Sequence, residues 1–382
     1  TFLSGSLTLK SHMTFFIASS ATLLGSTNAA DYPTQAPNTG NTQLSNCQRA
    51  LLYAPETSGL RIDGGGTIDG QGDSFGNVVE GMRPLLIWSV LSDHLDVANV
   101  FLKKGAVWSL VSMESDHVVI SNVNVQSNNI THDGIDIVDG TDITVDDVAV
   151  RSGDDAMCLK TGVRRGIQTM TVKNSLFAGD NGGSNGIKFG TATYGGFHDI
   201  TIEDTYVKDV QYAAMAVESR QGADVANVAF DRIQFDHTGA AFFVYLAQQA
   251  TTHPIGDVPK LGSIDHVTFS DVRGTTSSYA NSPHQGSLVT GHIFNAVTYP
   301  ITNLAFTNVD VAFTGGLATV PASPPEAMPD QYPESNMFHD LPAWAYYVRH
   351  ATATFTGCTS TAQATDARNA LVTDDATVTG TP

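Results

Sequence analysis

Eight segments of one shape recur along the chain, and they limit its fold more than any other feature. "LDVANVFL", "VVISNVNV", "ITVDDVAV", "MTVKNSLF", "ITIEDTYV", "VAFDRIQF", "VTFSDVRG" and "LAFTNVDV" align on a central apolar residue: Val97, Ile120, Val145, Val172, Ile202, Phe230, Phe269 and Phe306. Successive anchors lie 23, 25, 27, 30, 28, 39 and 37 residues apart, a period in the twenties stretched by later insertions. A period of this size marks a solenoid, whose units bury their apolar faces only by stacking on one another. Each unit is rich in Val, Ile, Thr and Phe, alternates in polarity and is bounded by Gly, Asn, Asp or Ser, so it is strand and turn, not helix.

No amphipathic helical stretch separates the units. Parallel strands without intervening helices require a chain that coils upon itself, so the expected fold is all-β: one right-handed parallel β-helix of about ten coils over residues 1–382. An antiparallel sandwich or a propeller is the alternative, but propeller blades need four strands per forty-odd residues and a sharper repeat. The apolar content of 41% is enough for a long core. The recurring Asn of "VANV", "ISNV" and "VKNS" predicts stacked amide ladders at the turns. Residues 312–345, rich in Pro, Ala and Gly, break the repeat and read as a loop inserted over the solenoid flank, closing one end of a cleft.

The N-terminal "MTFFIASSATLLGSTNAADYP" imitates a signal peptide, but the short β-prone runs of "GSLTLKSHMTFFIASSATLLGS" read better as strands. The sequence starts at Thr1, so an upstream segment and some N-terminal coils are expected to be missing. No run is long and apolar enough to span a membrane. Thirty-eight acidic against 19 basic residues give a net charge of -19, which argues against a nucleic-acid partner. An anionic sugar polymer stays open, because a local cationic patch can sit in an acidic protein. Cys47, Cys158 and Cys358 are too few and too scattered for a disulfide framework or a zinc site, and all three read as buried apolar thiols.

In a stacked coil, residues one period apart lie about 4.8 Å above one another. "RSGDDAMCLKTG" carries Asp154 and Asp155, and "THDGIDIVDG" places Asp133 21 residues before Asp154, close to one coil. "SNGIKFGTATYGG" adds Asn185 and Lys188 one coil later. Gly-Asp-Asp alone is ordinary turn chemistry. Three converging carboxylates repel, so at least one should hold a proton near neutrality. That suits glycoside hydrolysis, with one protonated acid and ionised partners for water, and equally suits a Ca²⁺ site; spacing leaves both open.

"ITHDGIDI", "SGDDAMCLKTG" and "SNGIKFGTATYGGFHDITIED", with "GGGTIDGQG" upstream, resemble glycoside hydrolase family 28, the polygalacturonases and their relatives, over nearly the whole chain and most closely in bacterial members. The resemblance implies a β-helix that cleaves glycosidic bonds with inversion and with no metal or other cofactor. It implies Asp154 as general acid, and Asp133 with Asp155 as activators of water. Two motifs depart from the family. Ser184-Asn185-Gly186 stands for Gly-His-Gly, and Ala216, Val217 and Glu218 stand where Arg-Ile-Lys would hold a substrate carboxylate; His132 also replaces the threonine of Asn-Thr-Asp.

A uronate needs a cationic or donor-rich pocket. Lys188, Lys160, Arg220, Arg349 and His350 are the candidate cations, with Asn185 and Glu218 as further sugar contacts and Tyr194 as a stacking platform. Asp136 and Asp139 read as turn carboxylates, and Trp88, Trp108, Trp344 and Tyr347 as inward aromatic stacks. The expected substrate is a pectin-related or other uronate-containing polysaccharide or oligosaccharide, handled by a secreted or periplasmic monomer. Two rival readings are a Ca²⁺-dependent polysaccharide lyase on the same fold and a non-catalytic carbohydrate-binding β-helix.

Overall fold

The computed structural model describes residues 1–127, 131–180, 183–248, 261–280, 283–326, 328 and 331–382. It is 58% strand, and its strands form a right-handed parallel β-helix. Three rows of strands run along it. One coil comprises Met157–Thr161, Ile167–Lys173 and Leu176–Gly179, and each strand pairs in parallel with its counterparts in the coils before and after. Among the described residues, antiparallel pairing is confined to the hairpin His292–Phe294 with Val297–Tyr299 and the bridge Ala18–Gly65.

The eight anchors of the repeat form one continuous column. Each is the direct register partner of the next from Val97 to Phe306, and the column continues through Ile62 to Phe15 at one end and to Phe355 at the other. From Ile62 onward every member is buried, because each side chain covers the one before it. The last four are phenylalanines stacked ring on ring. Phe230–Phe269, Phe269–Phe306 and Phe306–Phe355 have centroids 5.0, 5.1 and 4.6 Å apart and planes within 16° of parallel.

The turn between two strand rows also repeats. Asn99, Asn122, Asp147, Asn174, Asp204, Arg232, Asp271 and Asn308 all adopt left-handed backbone, with φ from 48° to 55°. Asn and Asp tolerate this conformation best among residues with a Cβ, which explains the recurring Asn of the repeat. Their amides bond along the axis as expected: Asn122 donates to Asn99 at 2.8 Å, and Asn174 to Asp146 at 2.8 Å. At Gly140 (φ 144°) a Cβ would lie 2.3 Å from the Ser115 carbonyl, so close coil contact requires glycine.

The N-terminal segment is strand, as its β-prone runs suggest, with Phe2–Ser4 and Thr22–Gly25 paired in parallel in the first coils. Strand structure also narrows the insertion. Asp310–Gly315 and Ala343–Arg349 are strands that overlap the two ends of the 312–345 stretch. Met337, Phe338 and Leu341 anchor it on the flank beside Ala213, Phe243 and Tyr245. No helix of the described residues is long and apolar enough to cross a membrane. All three cysteines are free; Cys47 and Cys158 are buried, but Cys358 is half-exposed, since its coil lies close to the C-terminal end of the stack.

Candidate active site

Backbone register builds the site. Ser109 N–H donates to the Asp133 carbonyl at 3.0 Å, Gly134 to Asp155 at 3.0 Å, Ala156 to Asn185 at 2.9 Å and Gly186 to Ala213 at 3.0 Å. Trp108, Asp133, Asp155, Asn185 and Ala213 therefore form one column at the entrance to a strand row. The expected pairing of Asp133 with Asp154 is corrected by one residue: Asp155 stacks between Asp133 and Asn185. Asp154 falls out of the column, and it is half-buried where Asp133 and Asp155 are buried.

Two buried ammonium groups flank the acids. Lys160 donates to Asp133 at 2.8 Å and to Asp136, and lies 3.9 Å from the centroid of the Trp108 ring. Lys188 donates to Glu334 at 2.8 Å, lies 3.6 Å from Asp155 and 3.9 Å from Glu218, and sits 4.8 Å from the Tyr332 ring centroid. Both lysines are pushed well above their ordinary range, against burial, by the carboxylates around them. Burial raises the Asp133 carboxyl, opposed by Lys160, and raises Asp136 to about 6.

Asp154 is different. It makes no ion pair among the described residues, and burial, then the charges of Asp133 and Asp155, push it up to about 7. Carboxylate oxygens of Asp133 and Asp155 and the Cys158 sulfur lie within 4.8 Å of one another, and Asp154 is not part of that group. By position the three acids thus divide into a close buried pair and one set apart from it, and burial raises the carboxyls of both Asp133 and Asp154.

Asn185 is fixed on every side. Its Oδ1 accepts from Ala213 N–H at 3.0 Å, which leaves Nδ2 to donate to Asp155 Oδ1 at 2.8 Å and Glu334 Oε2 at 2.9 Å. The Asn185 backbone N–H also reaches Asp155 Oδ1, at 3.1 Å. Glu334, from the insertion, is pushed up to about 7, by burial first. Glu218 is fully buried beside Lys188 with neither oxygen hydrogen-bonded, and burial raises its carboxyl strongly.

The structure does not bring the other expected contacts to the acids. Arg220 lies at the far end of the strand row, seven residues past Ala213, roughly 20 Å along an extended chain. Its charge acts on Glu218 and Tyr194, and the Tyr194 hydroxyl accepts from Gln221 at 3.0 Å. Arg349 and His350 belong to a later coil. Arg349 is buried against the Thr290 hydroxyl and the Pro324 carbonyl, and His350 contacts Asp375 at 2.9 Å and Glu326 at 3.2 Å. Strand register sets Arg349 in line with Thr290, Tyr245 and Glu218, not with the column of Asp133 and Asp155.

Sequence reasoning misses Glu334, Tyr332 and Cys158, names Trp108 only as a platform candidate more in keeping with an inward stack, and reads Asp136 as a turn or edge carboxylate, although Lys160 holds it in the site. Only Trp108 had a signal: it stands 25 residues before Asp133, one coil back. Asp139 is the turn carboxylate it was read to be, accepting from the N–H groups of Gly162 and Gly166 at 2.7 and 3.0 Å. A surface hollow of about 760 Å³ lies elsewhere, in the concave corner lined by Asn122, Asn174, Tyr206 and Arg232; none of the three acids lines it.

A parallel β-helix with a column of carboxylates at one row of strand entrances has the frame of a carbohydrate-active solenoid enzyme. The family model for glycosyl hydrolases family 28 matches residues 2–311, and the chain belongs to that family. A polygalacturonase of Ralstonia solanacearum is 40% identical over 91 residues, 23% of this chain and 17% of that protein, so the match spans well under two thirds of the relative's length. Among solved structures, a family 28 exopolygalacturonase of Yersinia enterocolitica aligns with a TM-score of 0.70 at 17% identity, over 100% of this chain and 71% of its own. The polygalacturonase of Erwinia carotovora aligns with a TM-score of 0.62 at 18% identity, over 81% and 83%. At these identities the two structures speak for the fold alone.

Proposed function

We propose that this protein hydrolyses glycosidic bonds of a pectin-like polyuronate with inversion. The observation that carries the reading is the placing of the acids: Asp133 and Asp155 paired within 4.8 Å, and Asp154 outside that pair, its carboxyl raised to about 7 by burial and by the two acids. Asp154 gives its proton to the leaving oxygen. Asp155, held by Asn185 and Lys188, and Asp133, held by Lys160, orient and deprotonate the attacking water on the other face of the sugar. The acceptor role of Asp155 fits its hydrogen-bond and ion-pair partners, Asn185, Cys158 and Lys188, all of them donors.

Asp133, Asp155 and Cys158 also have the spacing of metal ligands. Lys160 and Lys188 already engage the Asp133 and Asp155 carboxylates, at 2.8 and 3.6 Å, so a metal ion would compete with them for those oxygens. The polymeric nature of the substrate favours a secreted or periplasmic monomer, and stacked coils hide their own edges.

The test is incubation with polygalacturonate, followed both for reducing ends and for the ultraviolet absorbance of an unsaturated product. Hydrolysis raises reducing ends alone, and Asp154→Asn stops the rise while the circular dichroism stays that of a folded β protein. Absorbance that grows and vanishes with EDTA would show a lyase; no product at all from pectic substrates would leave a binding protein.

A further inference from the structure

The two lysines beside the acid column are spent on carboxylates inside the protein, yet a free-acid uronate needs a positive partner at its own carboxylate. Lys160 bonds Asp133 and Asp136, and Lys188 bonds Glu334 and faces Asp155 and Glu218, with both lysines buried. Arg83 is the exception. It makes no ion pair among the described residues of a chain whose net charge is -19. Its Nε is anchored on the Val78 carbonyl at 2.9 Å, and Nη1 reaches the Thr131 hydroxyl only at 3.5 Å, so most of the guanidinium fork stays available.

Arg83 also faces open space of the right size. It lines a hollow of about 320 Å³ with Asp73, Phe75, Ala106 and His132, and Asp73 is neutralised by Lys104 at 2.6 Å. His132 is the residue immediately before Asp133, and its buried ring is held on the Ser127 hydroxyl at 3.1 Å. Burial first, and then the Arg83 charge, lower His132 to about 4, so it stands as a neutral wall. The fields of Arg83 and Asp133 both reach the Cys47 thiol, which sets the arginine and the catalytic column on one side of the solenoid.

We propose that Arg83 and the hollow bounded by His132 form a sugar subsite that binds a uronate carboxylate next to the cleavage point, in place of the missing Arg-Ile-Lys cation. The inference rests on the hydrolase reading above and adds its specificity determinant. A guanidinium with two free N–H directions accepts a carboxylate in the bidentate manner, and a methyl ester of the same sugar keeps the shape but removes the charge that arginine recognises.

The experiment compares polygalacturonate with its highly methyl-esterified form, using wild type, Arg83→Gln and Arg83→Lys, with melting temperatures to confirm folding. Wild type should favour the free acid. Arg83→Gln should lose about ten- to a hundred-fold in kcat/KM on the free acid, chiefly through KM, the factor expected for one charge-assisted hydrogen bond, and change little on the ester. Arg83→Lys should recover part of the loss, since it keeps charge without the fork. Equal losses on both substrates, or none on either, would overturn the assignment of Arg83 while leaving the hydrolase standing. Absence of turnover by wild type on both would instead remove the hydrolase reading on which the proposal rests.

Discussion

The side-chain amide of Asn185 donates to Oδ1 of Asp155 at 2.8 Å, one coil further along the same column. An amide cannot titrate, so it holds Asp155 the same way at every pH. Asn185→Ala should lower kcat/KM on polygalacturonate by about ten- to a hundred-fold, the cost of one hydrogen bond to a charged group. Asn185→Asp should do worse, since it sets a third carboxylate between Asp155 and Glu334. Steady-state kinetics of the two variants checks the order.

The proton on Asp154 sets the alkaline limit of activity. Its carboxyl is raised to about 7 by burial and by its acidic neighbours, so turnover should fall as pH rises through about 7. Stability follows the same sign. A raised carboxyl binds its proton more tightly in the folded state, so its contribution is complete below the ordinary carboxylate value and is lost as pH climbs through about 7. Asp154→Asn should therefore melt higher than wild type at pH 8 and show a shallower decline between pH 5 and 8. Glu334 and Asp139, both raised to about 7, keep some slope in the variant. Melting curves across that range measure it.

Lys160 ties Asp133 and Asp136 together in the interior. Removing one partner of a buried ionic group leaves the others uncompensated, so Lys160→Met should cost about 3–5 kcal/mol of stability and abolish activity. Adding Asp133→Asn and Asp136→Asn should restore most of the stability and none of the activity. Chemical denaturation of the single and triple variants separates the two effects.

Much of this was legible in the sequence, for a physical reason. A solenoid forces residues one period apart into register, so the apolar column from Val97 to Phe306 could be read by alignment alone, as could the meeting of Asp133 with the Asp-Asp pair. A one-residue error in register was enough to stack Asp154 where Asp155 belongs. Glu334 was invisible, because it reaches Asn185 from 149 positions away through a Pro-rich segment with no period. Lys188 alternates with Ile187 and Phe189, which points it off the core, and a surface site was the natural reading. That outward face is covered by Tyr332 and Glu334, so the lysine is buried instead.

The stacked phenylalanines should be separable from catalysis. Phe269 packs between Phe230 and Phe306 and is fully buried, so Phe269→Ala should cost about 3–5 kcal/mol. Below its lowered melting temperature the variant should keep wild-type kcat and KM, because the ring contacts of that stack among the described residues include no site residue. Urea unfolding and kinetics on the same sample check both halves.

The configuration of the first product tests the central claim most directly. Proton NMR during the early minutes of cleavage of an oligogalacturonide distinguishes the two anomers before they equilibrate. Water activated by Asp133 and Asp155 on the face opposite the Asp154 proton must give a new reducing end with the anomeric configuration opposite to that of the bond cleaved. A first product that keeps the original configuration, or one that carries an unsaturated ring, would contradict the roles assigned to all three acids.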